Sequence, residues 1–303
     1  MNAGGPGRVS TPEPGTGRAP DPRRNPVRTR NAIVAAAAAA VVLVPTASAT
    51  ATDGGRGHGR AESPRAVGLV DGTRLVTFAT DRPGKVKHAG ELKGLQGDTR
   101  LVGIDARVQD KQVYGVGDRG GVYVLDVHRA TATRVLQLSV PLEGTAFGVD
   151  FNPAANALRV VSDTGQNLRQ PFATPGAATV ADTPLTSPPT AGTTTGVTAA
   201  AYTNNDLDEA TATTLFVLNT TTDQVAVQSP ANAGTLAATG KLGADLTGDV
   251  GFDIAGTTGY AVVPGTGKDA GRSTVHEVSL LTGKATLRGH LDAAVTDLAL
   301  KLS

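Results

Sequence analysis

Past a Gly-rich tether at Thr52 to Pro64, the chain runs as short segments of alternating apolar and polar character, each bounded by Gly, Asn, Asp or Thr. A period of two sends successive side chains to opposite faces of an extended strand. No segment keeps the period of an amphipathic helix. The pattern predicts an all-β fold of short strands joined by tight turns.

The segments also repeat. "LVGIDA" at Leu101 recurs as "AFGVDF" at Ala146, "TAAAYT" at Thr198, "DVGFDI" at Asp249 and "AVTDLA" at Ala294. Aligning Asp105, Asp150, Ala201, Asp253 and Asp297 gives steps of 45, 51, 52 and 44 residues, the size of a four-stranded propeller blade. Four units are continuous, and each contains three further strand-like runs; the second reads "FGVDFN", "ALRVVSD", "QNLRQPF" and "ATVADTPL". The fifth is divided, with "VTDLALKL" at the C-terminal end and "AVGLVDG", "RLVTFAT" and "KVKHAGE" near the start of the repeats. We therefore expect a five-bladed β-propeller of four-stranded blades over residues 66–303, its ring closed by pairing the C-terminal strand with N-terminal strands. A two-sheet sandwich predicts neither the period nor the divided unit.

The repeat decides how one tempting motif is read. In "YGVGDRGGVYVLDV", Gly115-x-Gly117-x-x-Gly120 has the spacing of a dinucleotide-binding turn. That turn must open a helix, whereas Val122 to Val127 keeps strand period. The glycines fall where each blade turns from its second to its third strand, so a hairpin is expected and no nucleotide.

The first strand of each blade should lie nearest the axis. Gly-x-Asp recurs there at Gly103-x-Asp105, Gly148-x-Asp150 and Gly251-x-Asp253; the fifth blade keeps Asp297, and the third has Ala199 and Ala201. Asp105, Asp150, Asp253 and Asp297 admit two readings. They could bind a cation such as Ca2+ or serve as the acid, base and nucleophile of a carbohydrate-active hydrolase or lyase. Alternatively, each accepts backbone N–H groups of its own or a neighbouring blade. Catalysis needs carboxylates in unlike environments, so repetition favours the structural reading. Glu143, in the connection into the second blade, is an asymmetric acid candidate. Asp206, Asp208 and Glu209 gather in the first hairpin of the third blade and form a Ca2+ candidate, without the spacing of an EF-hand loop.

Composition and charge narrow the setting. Arg28 and Arg30 precede the apolar run Ala32 to Val44, followed by Ala47-Ser48-Ala49. This is the layout of a secretory leader cleaved after Ala49, with Ala51 as the alternative, and the run is too short to span a bilayer as a helix. The expected organisation is a signal region over residues 1–49, whose true start could be Val27, a linker over residues 50–65, and the propeller. Beyond Ala49 the chain carries 22 basic and 25 acidic residues, scattered rather than in blocks, so no footprint for nucleic acid is present. Cysteine is absent, so the exported fold would stand without disulfides. Aromatic residues make up only 3%, which favours many thin aliphatic layers over one thick core.

At Gly144 to Arg169, "GTAFGVDFNPAANALRVVSDTGQNLR", with "AAYTNN" at Ala200 and "SPANAGTLAATGKLG" at Ser229, the chain resembles the domain-of-unknown-function 4394 family of secreted bacterial proteins. The resemblance runs from about Val67 to Leu302. It implies an exported, propeller-like domain and carries no catalytic residue. Within the matching stretch Asn152, Asp163, Gln166, Asn167 and Arg169 form a dense polar group. Asp163, Gln166, Asn167 and Arg169 are the candidate ligand-binding residues, and turn-forming side chains bonded to their own backbone are the plainer alternative. The expectation is a secreted or extracellular protein, free or associated with the cell envelope, that acts as a non-catalytic binding or scaffold propeller. Its partner would be a glycan, an envelope polymer or a protein.

Overall fold

The computed structural model describes residues 63–302 apart from Glu209, together with Met1 and Gly5. The leader, its cleavage point, the Val27 start and the tether up to residue 62 lie outside the described residues. The chain divides into two units, Met1–Gly57 and His58–Ser303, and every described strand belongs to the second.

Those strands form five antiparallel sheets of four. The first blade is β4 (Leu101–Arg107), β5 (Gln112–Gly117), β6 (Gly121–Asp126) and β7 (Thr131–Gln137). The second is β8 (Phe147–Asn152), β9 (Ala157–Ser162), β10 (Asn167–Pro171) and β11 (Val180–Ala181). The third is β12 (Val197–Tyr202), β13 (Leu215–Asn219), β14 (Gln224–Gln228) and β15 (Leu236–Lys241). The fourth is β16 (Gly251–Ala255), β17 (Thr258–Pro264), β18 (Ser273–Ser279) and β19 (Ala285–Leu291). The fifth joins β20 (Val295–Leu300) to β1 (Arg65–Val70), β2 (Arg74–Ala79) and β3 (Arg82–Glu91).

The inner strands β4, β8, β12, β16 and β20 pack side by side around the axis. Closure is by sequence-distant pairing: β20 lies antiparallel to β1, with Ala66 opposite Leu300 and Leu69 opposite Asp297. The Lys301 amide extends the ladder to the Arg65 carbonyl at 2.7 Å. This is a five-bladed β-propeller. Closing the ring in this way covers strand edges that would otherwise be free to pair with another chain.

With few aromatics, the core is divided rather than central. Five buried apolar clusters occupy the five seams between blades. The cluster between the third and fourth blades is the largest and includes Phe216, Leu218, Phe252 and Ile254. That between the second and third is the smallest, because the second blade offers it only Val161 and Leu185. Polar side chains fill the remainder of that seam.

Glycine on the inner strands answers to crowding. A Cβ at Gly148 would stand 2.4 Å from the Ala200 nitrogen, one at Gly251 would stand 2.4 Å from the Asp297 Cα, and one at Gly103 would stand 2.5 Å from the Val149 Cγ2. Adjacent inner strands approach so closely that no side chain fits between them. In the hairpin that mimics a nucleotide motif, β5 ends at Gly117 and β6 begins at Gly121; Gly120 has φ +83° and donates to the Gly117 carbonyl at 2.9 Å. No helix opens there.

One outer strand is shorter than its pattern suggests. Of "ATVADTPL", only Val180 and Ala181 pair with β10. Asp182 turns its carboxylate to two arginines, and the chain then crosses to the third blade, where Thr183 N meets the Asn232 carbonyl at 3.1 Å and Thr186 N the Gly234 carbonyl at 2.8 Å. An alternating pattern cannot distinguish a strand from a crossing of this kind.

Candidate functional site

The four axial aspartates are 2–7% exposed and are bonded across the blade seams. Asp297 accepts the Ile104 amide at 2.7 Å, Asp105 the Phe151 amide at 2.7 Å, Asp150 the Tyr202 amide at 3.1 Å and Asp253 the Leu300 amide at 2.6 Å. Each bond runs from one blade to the inner strand of the next. Asp253 and Asp297 also accept the amides that follow them, Ile254 at 2.6 Å and Leu298 at 2.9 Å. At the seam where Ala201 stands, the Asn205 side chain instead donates to the Ile254 carbonyl at 3.1 Å. The glycine two residues before Asp105, Asp150 and Asp253 brings the neighbouring strand within reach of these bonds.

Three of these carboxylates also converge. Asp105, Asp150 and Asp253 each offer one oxygen, and the three oxygens lie within 4.8 Å of one another. Such a set has the chemistry to share protons or to ligate a hard cation. Burial raises Asp105, Asp150 and Asp297 well above the usual carboxylate range, with repulsion from Asp253 adding at Asp105 and from Asp105 at Asp150. Burial pushes Asp253 up to about 7, against the opposing effect of the Leu300 and Ile254 amides. Desolvation outweighs the backbone donors at all four positions.

The other candidates are dispersed. Glu143 is exposed, and among the described residues only its backbone is engaged, with its amide on the Gln166 side chain at 3.0 Å and its carbonyl accepting Thr164 Oγ1 at 3.1 Å. Asp163 accepts the Thr145 amide at 2.9 Å and hydroxyl at 2.6 Å, just ahead of β8. Asp118 holds the Thr99 amide in the same way ahead of β4, at 2.9 Å, so this hairpin aspartate is itself a repeated device. Gln166 also donates to the Pro141 carbonyl at 2.8 Å. Asn167 is buried and donates to the Thr183 and Ala231 carbonyls, both at 3.0 Å. Asp206 and Asp208 are exposed and accept the Asp208 and Ala210 amides at 2.9 Å, and Glu209 lies outside the described residues.

Two features escape a reading of the sequence. The first is Arg159, 2% exposed on β9, whose guanidinium bonds Asp182 at 2.8 Å, Asn167 at 2.8 Å and Asn232 at 2.7 Å. An arginine inside the otherwise apolar run Ala157 to Val161 was its only local signal. The second is Asp249, two residues ahead of β16, which burial pushes up to about 6 against the pull of Arg100. Among the described residues no helix is long and apolar enough to cross a membrane.

Comparison with known proteins gives a family and no chemistry. No curated protein matches the chain. Among solved structures it is similar to a structural genomics protein of unknown function from Bacteroides thetaiotaomicron VPI-5482, at 14% identity and a TM-score of 0.44. The match covers 74% of this chain and 57% of that one, so this chain spans little more than half the length of that protein. A family model described as a domain of unknown function, DUF4394, matches residues 74–299, and the chain belongs to that family.

Proposed function

We propose that the protein is an exported, non-catalytic binding or scaffold propeller whose partner is a glycan, an envelope polymer or another protein. One observation carries this reading: the axial aspartates, the best acid and base candidates, are committed to the backbone of neighbouring blades. A glycosidase needs carboxylates that reach the scissile bond from unlike environments. Buried carboxylates that each accept an amide from the next blade act as staples, and a hydrolase or lyase reading loses its best residues to that role. Export rests on the leader-like run Ala32 to Val44 and the small residues ending at Ala49.

The test is a screen of the protein against immobilised glycans and envelope polymers, with each bound sample examined for released product. Binding without turnover is expected. Turnover abolished by Asp105→Asn in a protein that still folds would replace this reading with an enzymatic one.

A further inference from the structure

The seam between the second and third blades departs from the repeat. Where the other seams are apolar, this one holds the buried Arg159, Asn167 and Gln228 and the covered side chain of Asp182, with a cleft of about 330 Å³ above them. Arg159, Arg169, Tyr202, Asn152 and Asn232 line the cleft beside the apolar Leu158 and Pro230. Register explains the grouping. Asp150, Arg159 and Arg169 lie directly opposite one another across β8, β9 and β10, so the two arginines share the sheet face that meets the third blade.

The charges of this group do not balance. Asp182 pairs with Arg159 at 2.8 Å and with Arg169 at 3.1 Å, and among the described residues no second carboxylate pairs with either guanidinium. Two cations thus share one anion; the Arg159 and Asp182 side chains are only 2% and 6% exposed, and the surplus falls on Arg169, 29% exposed at the cleft. Buried charge is ordinarily paired, because desolvation of an unmatched ion costs several kcal/mol.

The hydrogen-bonding sense of the lining is one-sided too. Asn152 spends its carbonyl oxygen on the Ala155 amide at 2.9 Å, and Asn232 spends its own on the Arg159 guanidinium at 2.7 Å. Both partners are obligate donors, which fixes each amide's orientation, and neither NH2 group has an acceptor among the described residues. Tyr202 lies with its hydroxyl oxygen 3.5 Å from Arg159 Nε, so its proton is directed elsewhere. The cleft therefore presents guanidinium, amide and hydroxyl donors and one surplus positive charge.

From this we infer that the cleft between the second and third blades binds a carboxylate carried on a hydroxylated body, the chemistry of a uronic acid residue in an acidic glycan. Asp182 takes Nε and Nη2 of Arg169 at 3.1 and 3.3 Å, so a ligand carboxylate would meet the Nη1 edge of that guanidinium. A carboxylate supplies acceptors only and neutralises the single surplus charge; a phosphate monoester dianion would overshoot it. The inference rests on the reading of the propeller as a binding module.

The test is calorimetric titration of the protein with galacturonate oligomers, neutral galactose oligomers and glycerol phosphate. We expect binding of the galacturonate oligomers that weakens as salt is added, with the neutral oligomers and the phosphate at least about tenfold weaker. Arg169→Gln leaves the Arg159–Asp182 pair in place and should weaken binding at least about tenfold. Asn152→Asp keeps an acceptor for the Ala155 amide but adds a negative charge, and should weaken binding as much while the far-UV spectrum and Tm stay near those of the parent. Equal affinity for acidic and neutral oligomers, no binding of either, or full affinity in a folded Asn152→Asp protein would overturn the inference. Tighter binding of glycerol phosphate would overturn the carboxylate assignment. Depolymerisation of the oligomers would instead contradict the non-catalytic reading, so the two failures are distinguishable.

Discussion

Asp105 ties the first blade to the second: its carboxylate accepts the Phe151 amide at 2.7 Å, across a seam where the two inner strands lie too close for any side chain at Gly103. The cross-blade bond recurs around the axis at Asp150, Asp253 and Asp297, and a glycine stands two residues before the first two of these. Glycine and aspartate two residues apart therefore work as one device. The glycine admits the neighbouring strand, and the aspartate receives an amide that the close contact would otherwise strand without a partner.

That device makes the glycines sensitive to the smallest substitution. Gly148→Ala would place a methyl group 2.4 Å from the Ala200 nitrogen and 2.6 Å from the Ala199 carbonyl carbon, both backbone atoms with little room to retreat. A loss of about 1–3 kcal/mol is expected, several degrees of Tm for a domain of this size. Gly84→Ala is the control, since its nearest neighbour is the His290 carbonyl oxygen at 3.9 Å. Thermal melts of the two variants should differ clearly.

Stability should fall as pH rises from about 4 through 7. Burial raises Asp253 to about 7 and Asp249 to about 6, and holds Asp105, Asp150 and Asp297 well above the usual range. Between the unfolded value near 3.8 and these raised values the folded chain binds more protons than the unfolded chain. The derivative of unfolding free energy with pH is then negative, at about 1.4 kcal/mol per pH unit for each proton retained. Denaturant melts at successive pH values measure it, and a stability that climbs steadily from pH 4 to 7 would count against protonated axial carboxylates.

Calcium provides a separate check on the converging trio. If Asp105, Asp150 and Asp253 hold protons and amides, chelator and millimolar Ca2+ should give the same Tm at pH 6. A tightly bound ion must raise stability by mass action, by about 2.7 kcal/mol at a hundredfold excess over its dissociation constant. A Ca2+-dependent rise of that order would assign the trio as a cation site.

The seam between the second and third blades should be fragile toward loss of the one carboxylate paired with its arginines. Asp182→Asn leaves Arg159 buried at 2% exposure with no counter-ion, and the expected destabilisation is about 3–5 kcal/mol. The same change at exposed Asp206 should alter Tm little. Urea melts of both variants compare them directly.

The propeller is legible in the chain because blades are local: each hairpin pairs residues close in sequence, and "LVGIDA" with its relatives marks where each blade begins. The divided fifth blade is legible for the same reason, since "VTDLALKL" lacks three strands that the N-terminal segments supply. The polar seam is not legible. Arg159 meets Asp182 and Asn232 only because the chain leaves the second blade early and crosses to the third, and strand periodicity carries no record of that path. Nor does the repeat reveal that Asp105, Asp150 and Asp253 converge while the fifth blade's Asp297 is not part of that trio. Equivalent positions in sequence become inequivalent once the ring closes around Ala201 instead of a fifth carboxylate.

The central claim, that the axial aspartates join blades rather than perform chemistry, is tested most directly by melting Asp105→Ala and Asp105→Asn beside the parent at pH 5 and pH 8. Asp105→Ala orphans the buried Phe151 amide and should cost about 1–3 kcal/mol at both pH values. Asp105→Asn keeps an acceptor and removes a charge from the trio, so it should melt near the parent at pH 5 and above it at pH 8. Variants that melt like the parent at both pH values yet lose a measurable polysaccharide turnover would contradict the account.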